Sequence, residues 1–187
     1  AAQQWLALFD QGDRSVDTVQ AVIRLAPQAD QPLLALQAWA ELAKRQQLTD
    51  AQWMDVYSLY ELAAEPLKGA QFFEAQFAST GNPKLLEFAA RLAENGGDDD
   101  RAQRLYSQRA GMEPFSLDVM LRAVVQLVRK DKMQEALTLL QTHQHQVPAQ
   151  ATAYWQLLSQ VAWDAGKFDV ARSAYAQYAG GPQTTIG

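Results

Sequence analysis

Apolar side chains recur along this chain at spacings of three and four, with polar residues between them, over runs of about a dozen residues. That period marks one face of an α-helix, and no stretch shows the strict apolar–polar alternation of a half-buried strand. Ser15 opens one run, with Val16, Val19, Val22, Ile23 and Ala26 on its apolar stripe. Thr49-Asp50-Ala51-Gln52 opens another as a capping box, and Trp53, Val56, Tyr57 and Tyr60 follow on one face. Asn82-Pro83 is a cap followed by proline at the first helical position, where a missing N–H costs nothing. Later runs carry Leu117, Met120, Leu121, Val124, Leu127 and Val128, then Tyr154, Trp155, Leu158, Val161 and Ala162. Pro27 and Pro32 bracket a turn before a helix over 33–46, Pro66 starts another helix, and Gly12 and Asn95-Gly96-Gly97 mark further turns. The pattern predicts eleven helices joined by short turns.

The runs also keep step with one another. A small residue recurs at Ala35, Gly69, Ala102, Ala136 and Ala171, 33 to 35 positions apart. Four residues after each stands a large one: Trp39, Phe73, Tyr106, Leu140 and Tyr175. Three residues before the small one stand Phe168, Met133 and Pro66, but polar Asp99 in the middle repeat. Trp5 lies 34 before Trp39, and prolines close repeats at Pro114 and Pro148, with Pro182 displaced by one. This ladder resembles the tetratricopeptide repeat, a helix–turn–helix unit of roughly 34 residues. The resemblance implies an all-α fold, a tetratricopeptide-like α-solenoid forming a right-handed superhelix with a concave and a convex wall. In that family the small residue lets the two helices of a repeat approach closely, and the large one packs between neighbouring helices. The phase expects a single solenoid over 1–187, with a partial repeat at 1–14 and repeats at about 15–48, 49–81, 82–115, 116–150 and 151–182.

Composition narrows the function. The net charge is −5, from 21 acidic and 16 basic residues, and no basic patch stands out, so neither nucleic acid nor an anionic membrane surface is an expected partner. There is no cysteine, which removes disulfides and thiolate–metal sites. No apolar run approaches the about 20 residues that cross a bilayer. The chain opens Ala1-Ala2-Gln3-Gln4-Trp5, without Met or a signal-peptide pattern, and ends soon after a repeat, so it is expected to be a fragment of a longer repeat protein.

Candidate chemistry is sparse. Asp98-Asp99-Asp100 lacks the spaced oxygens and distal Glu of a calcium loop and suits the start of a helix. His143 and His145, two apart, point to different helix faces and do not share a metal comfortably. Glu61 and Glu65, one turn apart at a helix end, are expected to point into solvent. No nucleophile or helical His pair is assembled by motif, so the expectation is a non-enzyme with no catalytic residue, no metal and no cofactor. Trp39, Trp53, Tyr57, Tyr60, Phe73, Tyr106, Trp155 and Tyr175 fall at repeat positions that pack between helices, whereas the phase puts Trp163 on the concave face.

The resemblance then implies a groove lined by the first helix of each repeat. It draws Met54, Ser58 and Glu61; Lys84, Glu87, Arg91 and Glu94; Asp118, Leu121, Arg122, Val125 and Arg129; and Gln156, Gln160, Trp163 and Asp164. The candidate partner-binding set is Lys84, Glu87, Arg91, Asp118, Arg122, Arg129, Gln160 and Trp163. Ser58, Arg91 and Val125 stand where the family's carboxylate-clamping members carry asparagines, which argues against that chaperone mode. The expected role is a protein–protein interaction scaffold. The Ala/Gln-rich, Lys-poor, cysteine-free acidic composition resembles the periplasmic repeat regions of bacterial exopolysaccharide export porins. That implies a periplasmic setting and a polysaccharide-modifying enzyme as the protein partner. The alternatives are a cytoplasmic adaptor or regulatory module, a module that binds polysaccharide directly, and a spacer whose groove contacts nothing.

Overall fold

Eleven α-helices account for most of residues 2–179, the part of the chain that the computed structural model describes. Ala1 and residues 180–187 lie outside it, and with them the repeat-ending proline expected at Pro182. The helices are α1 Ala2–Asp10, α2 Val16–Leu25, α3 Pro32–Ala43, α4 Asp50–Leu62, α5 Pro66–Thr80, α6 Pro83–Asn95, α7 Asp99–Ala110, α8 Leu117–Arg129, α9 Met133–His143, α10 Thr152–Asp164 and α11 Phe168–Ala179. In sequence, two helices fall within the bounds of each expected repeat after α1.

Helix starts follow the local sequence. The Ser15 hydroxyl accepts from the Thr18 N–H and Ser116 from Val119, each quenching an otherwise orphaned donor of a first turn. Both limbs of the Thr49/Gln52 box form, at 3.3 Å and 2.9 Å. Asn82 Oδ1 accepts from the Lys84 N–H at 3.0 Å, with Pro83 behind it. At the other end, α5 stops on Gly81, whose φ of +70° suits a residue without a Cβ. One boundary differs from the sequence reading. α3 closes at Ala43, short of Gln46, where the Arg45 N–H tightens onto the Leu42 carbonyl at 3.0 Å, three residues back instead of four.

The small-residue ladder is buried throughout, at Ala35, Gly69, Ala102, Ala136 and Ala171. Gly69 is there for a stronger reason than smallness. A Cβ on it would lie 2.7 Å from Leu92 Cδ1 and 2.7 Å from Tyr60 Cγ, so α5 approaches α4 and α6 more closely than alanine permits. Of the large partners, Trp39, Phe73, Tyr106 and Leu140 are buried. Tyr175 is not: it is 58% exposed, because α11 is the last described helix and no later one among the described residues covers it.

The chain divides into two compact units, α1 to α6 and α7 to α11, with the boundary at Asp98–Asp99. In the first unit α1 packs on α2, α2 on α3 and α3 on α4, while α4, α5 and α6 contact one another. Its core includes Phe9, Val22, Trp53 and Leu85, with Phe73 set 5.9 Å from Trp53 and 5.3 Å from Phe88. In the second unit α7 packs on α8, α8 on α9, α9 on α10 and α10 on α11, around Tyr106, Met120, Leu137 and Tyr154. Contact mainly between helices adjacent in sequence is the physical basis of a solenoid. Buried Arg109 secures the loop after α7, donating to the carbonyls of Met112 at 3.1 Å and Pro114 at 3.0 Å.

Candidate interaction surface

In the first unit, α6 carries three of the candidate residues on one stripe. Lys84 Nζ donates to both carboxylate oxygens of Glu87 at 3.1 Å, and Arg91 Nη2 donates to Glu87 Oε1 at 2.8 Å. Their i, i+3 and i+7 spacing on the helix makes this geometry available. Lys84 also sits 5.4 Å above the Phe88 ring. Glu87 is only 6% exposed, so it does not present its carboxylate to a partner as expected. Its role is internal, holding two half-exposed cations in place.

Beside that stripe, Glu61 on α4 is tied down rather than directed into solvent. Its Oε1 accepts from the Tyr57 hydroxyl at 2.8 Å and from Asn95 Nδ2 at 2.8 Å. Burial, reinforced by the bond to Glu61, pushes the Tyr57 phenol up to about 12. Glu65, its expected companion, pairs instead with Lys68 at 2.8 Å. A cleft of about 360 Å³ opens nearby among α2, α3 and α4, floored by Ile23, Trp39, Leu59 and Leu62 and edged by Arg24 and Asp55. Only its Ser58 belonged to the expected groove.

In the second unit, Asp118, Arg122, Val125 and Arg129 share one stripe of α8, opposite the buried Met120 and Val124. Arg122 Nε donates to Asp118 Oδ2 at 3.1 Å, and both Val125 and Arg129 are exposed. On α10, Gln160 Nε2 donates to both oxygens of Asp164, at 3.2 and 3.0 Å. Trp163 is 62% exposed and meets Phe168 edge-on at 5.1 Å. The candidate residues thus form a charged stripe on α6 and, in the other unit, a charged stripe on α8 and a polar–aromatic one on α10.

Other sequence candidates serve structure. Asp100 bonds Lys130, which holds its carboxyl below the usual carboxylate range. His143 stacks on Phe115 at 5.5 Å and bonds Gln146 Oε1 through Nδ1 at 3.0 Å. Among the described residues, no group of three His, Cys, Asp or Glu is placed to hold a metal, and no helix is long and apolar enough to cross a membrane. Two features escaped the sequence reading: the Tyr57–Glu61–Asn95 link, and the exposure of Phe168, Tyr175 and Tyr178 at the last described helix. The second had a signal, since the register of Tyr175 demands a covering helix that no described residue provides.

No family model matches the chain, and no curated protein matches it. Among solved structures it is similar to YrrB, a TPR protein with an unusual peptide-binding site, with a TM-score of 0.61 and 11% identity over 96% of this chain and 93% of that one. It is also similar to MamA AMB-1, with a TM-score of 0.59 and 14% identity over 100% of this chain and 97% of that one. At these identities the likeness is one of fold: the chain is all-α, a tetratricopeptide-like α-solenoid.

Proposed function

We propose that this chain is a non-enzymatic scaffold that binds another protein through the outward stripes of the first helix of its repeats. The observation that carries this reading is the α8 stripe. Asp118, Arg122, Val125 and Arg129 align over three turns with charge and an apolar centre facing outward, a surface suited to a helix or extended segment. The solenoid likeness supports it, and the similar YrrB is itself a protein with a peptide-binding site. The finer reading is recruitment of a polysaccharide-modifying enzyme in periplasmic exopolysaccharide export. Its support is compositional: an acidic chain without cysteine.

The test uses the 187-residue chain as bait against envelope and cytoplasmic fractions, beside an Arg122→Glu, Arg129→Glu variant. These two are better choices than Arg91, whose reversal would set a second acid against buried Glu87. Retention of a specific protein by the wild type and its loss in the variant supports the scaffold. An unchanged retained set refutes the α8 surface. Capture of a carbohydrate-active envelope enzyme supports the finer reading, and capture of cytoplasmic proteins alone replaces it with an adaptor role. A shift of Trp163 emission on adding glycan, with no protein retained, would favour direct polysaccharide binding.

A further inference from the structure

Within the first unit, the seam between α2 and α4 is open where the seam between α4 and α6 is closed by aromatic rings. α2 opens at Val16, α4 at Asp50 and α6 at Pro83, so residues thirty-four and then thirty-three apart hold matching places in the three helices. In the later seam the Tyr57 ring of α4 lies 5.2 Å from the Phe88 ring of α6, and Phe88 lies 5.3 Å from Phe73 of α5. In the earlier seam Ile23 stands at the place of Tyr57, Asp55 at that of Phe88 and Trp39 at that of Phe73. An aliphatic chain and a carboxylate fill less of a seam than two rings do, and α2 and α4 meet chiefly through α3. The result is the cleft of about 360 Å³ over Trp39.

The cleft is apolar within and charged at its rim. Ile23, Pro27, Trp39, Leu59 and Leu62 line it, and Leu62 is 60% exposed. Arg24 on α2 and Asp55 on α4 stand on opposite walls, both exposed, and neither has an ion pair among the described residues. Arg24 Nε donates to the Gln20 carbonyl of its own helix at 3.3 Å. Described helices flank this seam on both sides, α1 against α2, and α5 and α6 against α4. The opening therefore comes from the side chains at Ile23 and Asp55, not from an edge of the array.

We infer that this cleft takes a phenylalanine side chain from a segment of a partner protein, with an acid on one side of that residue and a Lys or Arg on the other. The ring takes the place over Trp39 that Phe88 holds against Phe73, where aromatic pairs add to the gain from burial. The acid meets Arg24 and the base meets Asp55, so the charges set the direction of the segment and disfavour one of opposite polarity. An aromatic anchor desolvated in a pocket with a polar rim is the form of an interface hot spot. The inference rests on the scaffold reading but concerns a surface in the other unit from the α8 stripe.

The probe is a fluorescein-labelled peptide, Ser-Gly-Glu-Phe-Lys-Gly-Ser, titrated by anisotropy into the 187-residue chain. Saturable binding is expected, and exchanging the peptide's Phe for Ala should weaken it at least about tenfold. Ile23→Tyr gives α2 the ring that α4 carries at the matching place, so it should fill the cleft and abolish binding while the chain stays folded in a circular dichroism melt. Leu62→Asp, at an exposed position, should abolish binding as well and serves if Ile23→Tyr lowers the melt. A peptide with Glu in place of Lys should lose about fivefold, and an Asp55→Lys chain should restore it. The Arg122→Glu, Arg129→Glu chain should bind the peptide as the wild type does, so this inference and the α8 surface fail separately. Absence of binding, binding that survives both cleft variants, loss of binding in the α8 variant, or a charge swap without rescue each overturns the inference. So does a dimer of the free chain in sedimentation that disappears in Ile23→Tyr, because a second copy would then own the cleft.

Discussion

Asn95 Nδ2 donates to Glu61 Oε1 at 2.8 Å, a hydrogen bond between residues thirty-four apart, one full repeat. The same oxygen takes the Tyr57 hydroxyl, so a single carboxylate aligns the end of α6 with the outward face of α4. α4 and α6 are held in register here by a polar link as well as by packing.

Replacing Asn95 with Ala removes that link at an exposed site and should cost the first unit about 0.5–1 kcal/mol. Urea unfolding followed by circular dichroism checks it, and an unchanged midpoint would show that the bond contributes nothing in solution.

Alkaline pH should destabilise the fold. Burial pushes the phenols of Tyr57, Tyr60 and Tyr154 up to about 12 from 10.0. Between those values the folded chain keeps protons that the unfolded chain releases, so stability is fully present below pH 10 and declines as pH rises toward 12. Tyrosinate absorbance at rising pH should titrate in two classes, the later one with loss of helicity. All six tyrosines ionising together near 10 would contradict the burial.

Gly69→Ala should lower stability even though alanine is the better helix former by about 1 kcal/mol. The added methyl meets Tyr60 and Leu92 at 2.7 Å, and overpacking of that kind costs about 1–3 kcal/mol. A melting temperature that rises in the variant would mean that α5 can retreat from its neighbours at no cost.

Glu87→Ala should destabilise the first unit by about 1–2 kcal/mol, less than a wholly buried pair would, because Lys84 and Arg91 remain half-exposed to water. Glu87→Gln should lose less, since the amide oxygen still accepts a hydrogen bond. Equal stability of all three chains would show that the two cations do not need the carboxylate.

Much of this fold was legible because its determinants are local. Ser15, Thr49 and Asn82 cap helices through bonds to residues two or three ahead, and the ladder from Ala35 to Ala171 repeats within the span of a helix pair. What resisted reading depends on partners outside that span. Glu87 has the composition of a groove residue, and only the surroundings of α6 show it to be buried. Gly69 stands in the ladder as one small residue among five, and only Tyr60 and Leu92 packed against it show that alanine would not fit. Glu61 looked solvated because Asn95 is one repeat away. Tyr175 was read as core because its equivalents are, whereas no described helix follows α11 to cover it.

The α8 stripe is the surface proposed to carry the protein contact. The most direct test is calorimetric titration of the partner captured by the wild-type chain against that chain and against the Arg122→Glu, Arg129→Glu variant, with melting curves of both. Affinity should be at least about tenfold weaker in the variant, an effect that shrinks as salt rises, while the melt falls only slightly as Arg122 gives up its exposed pair with Asp118. Equal affinity for the two chains would contradict it.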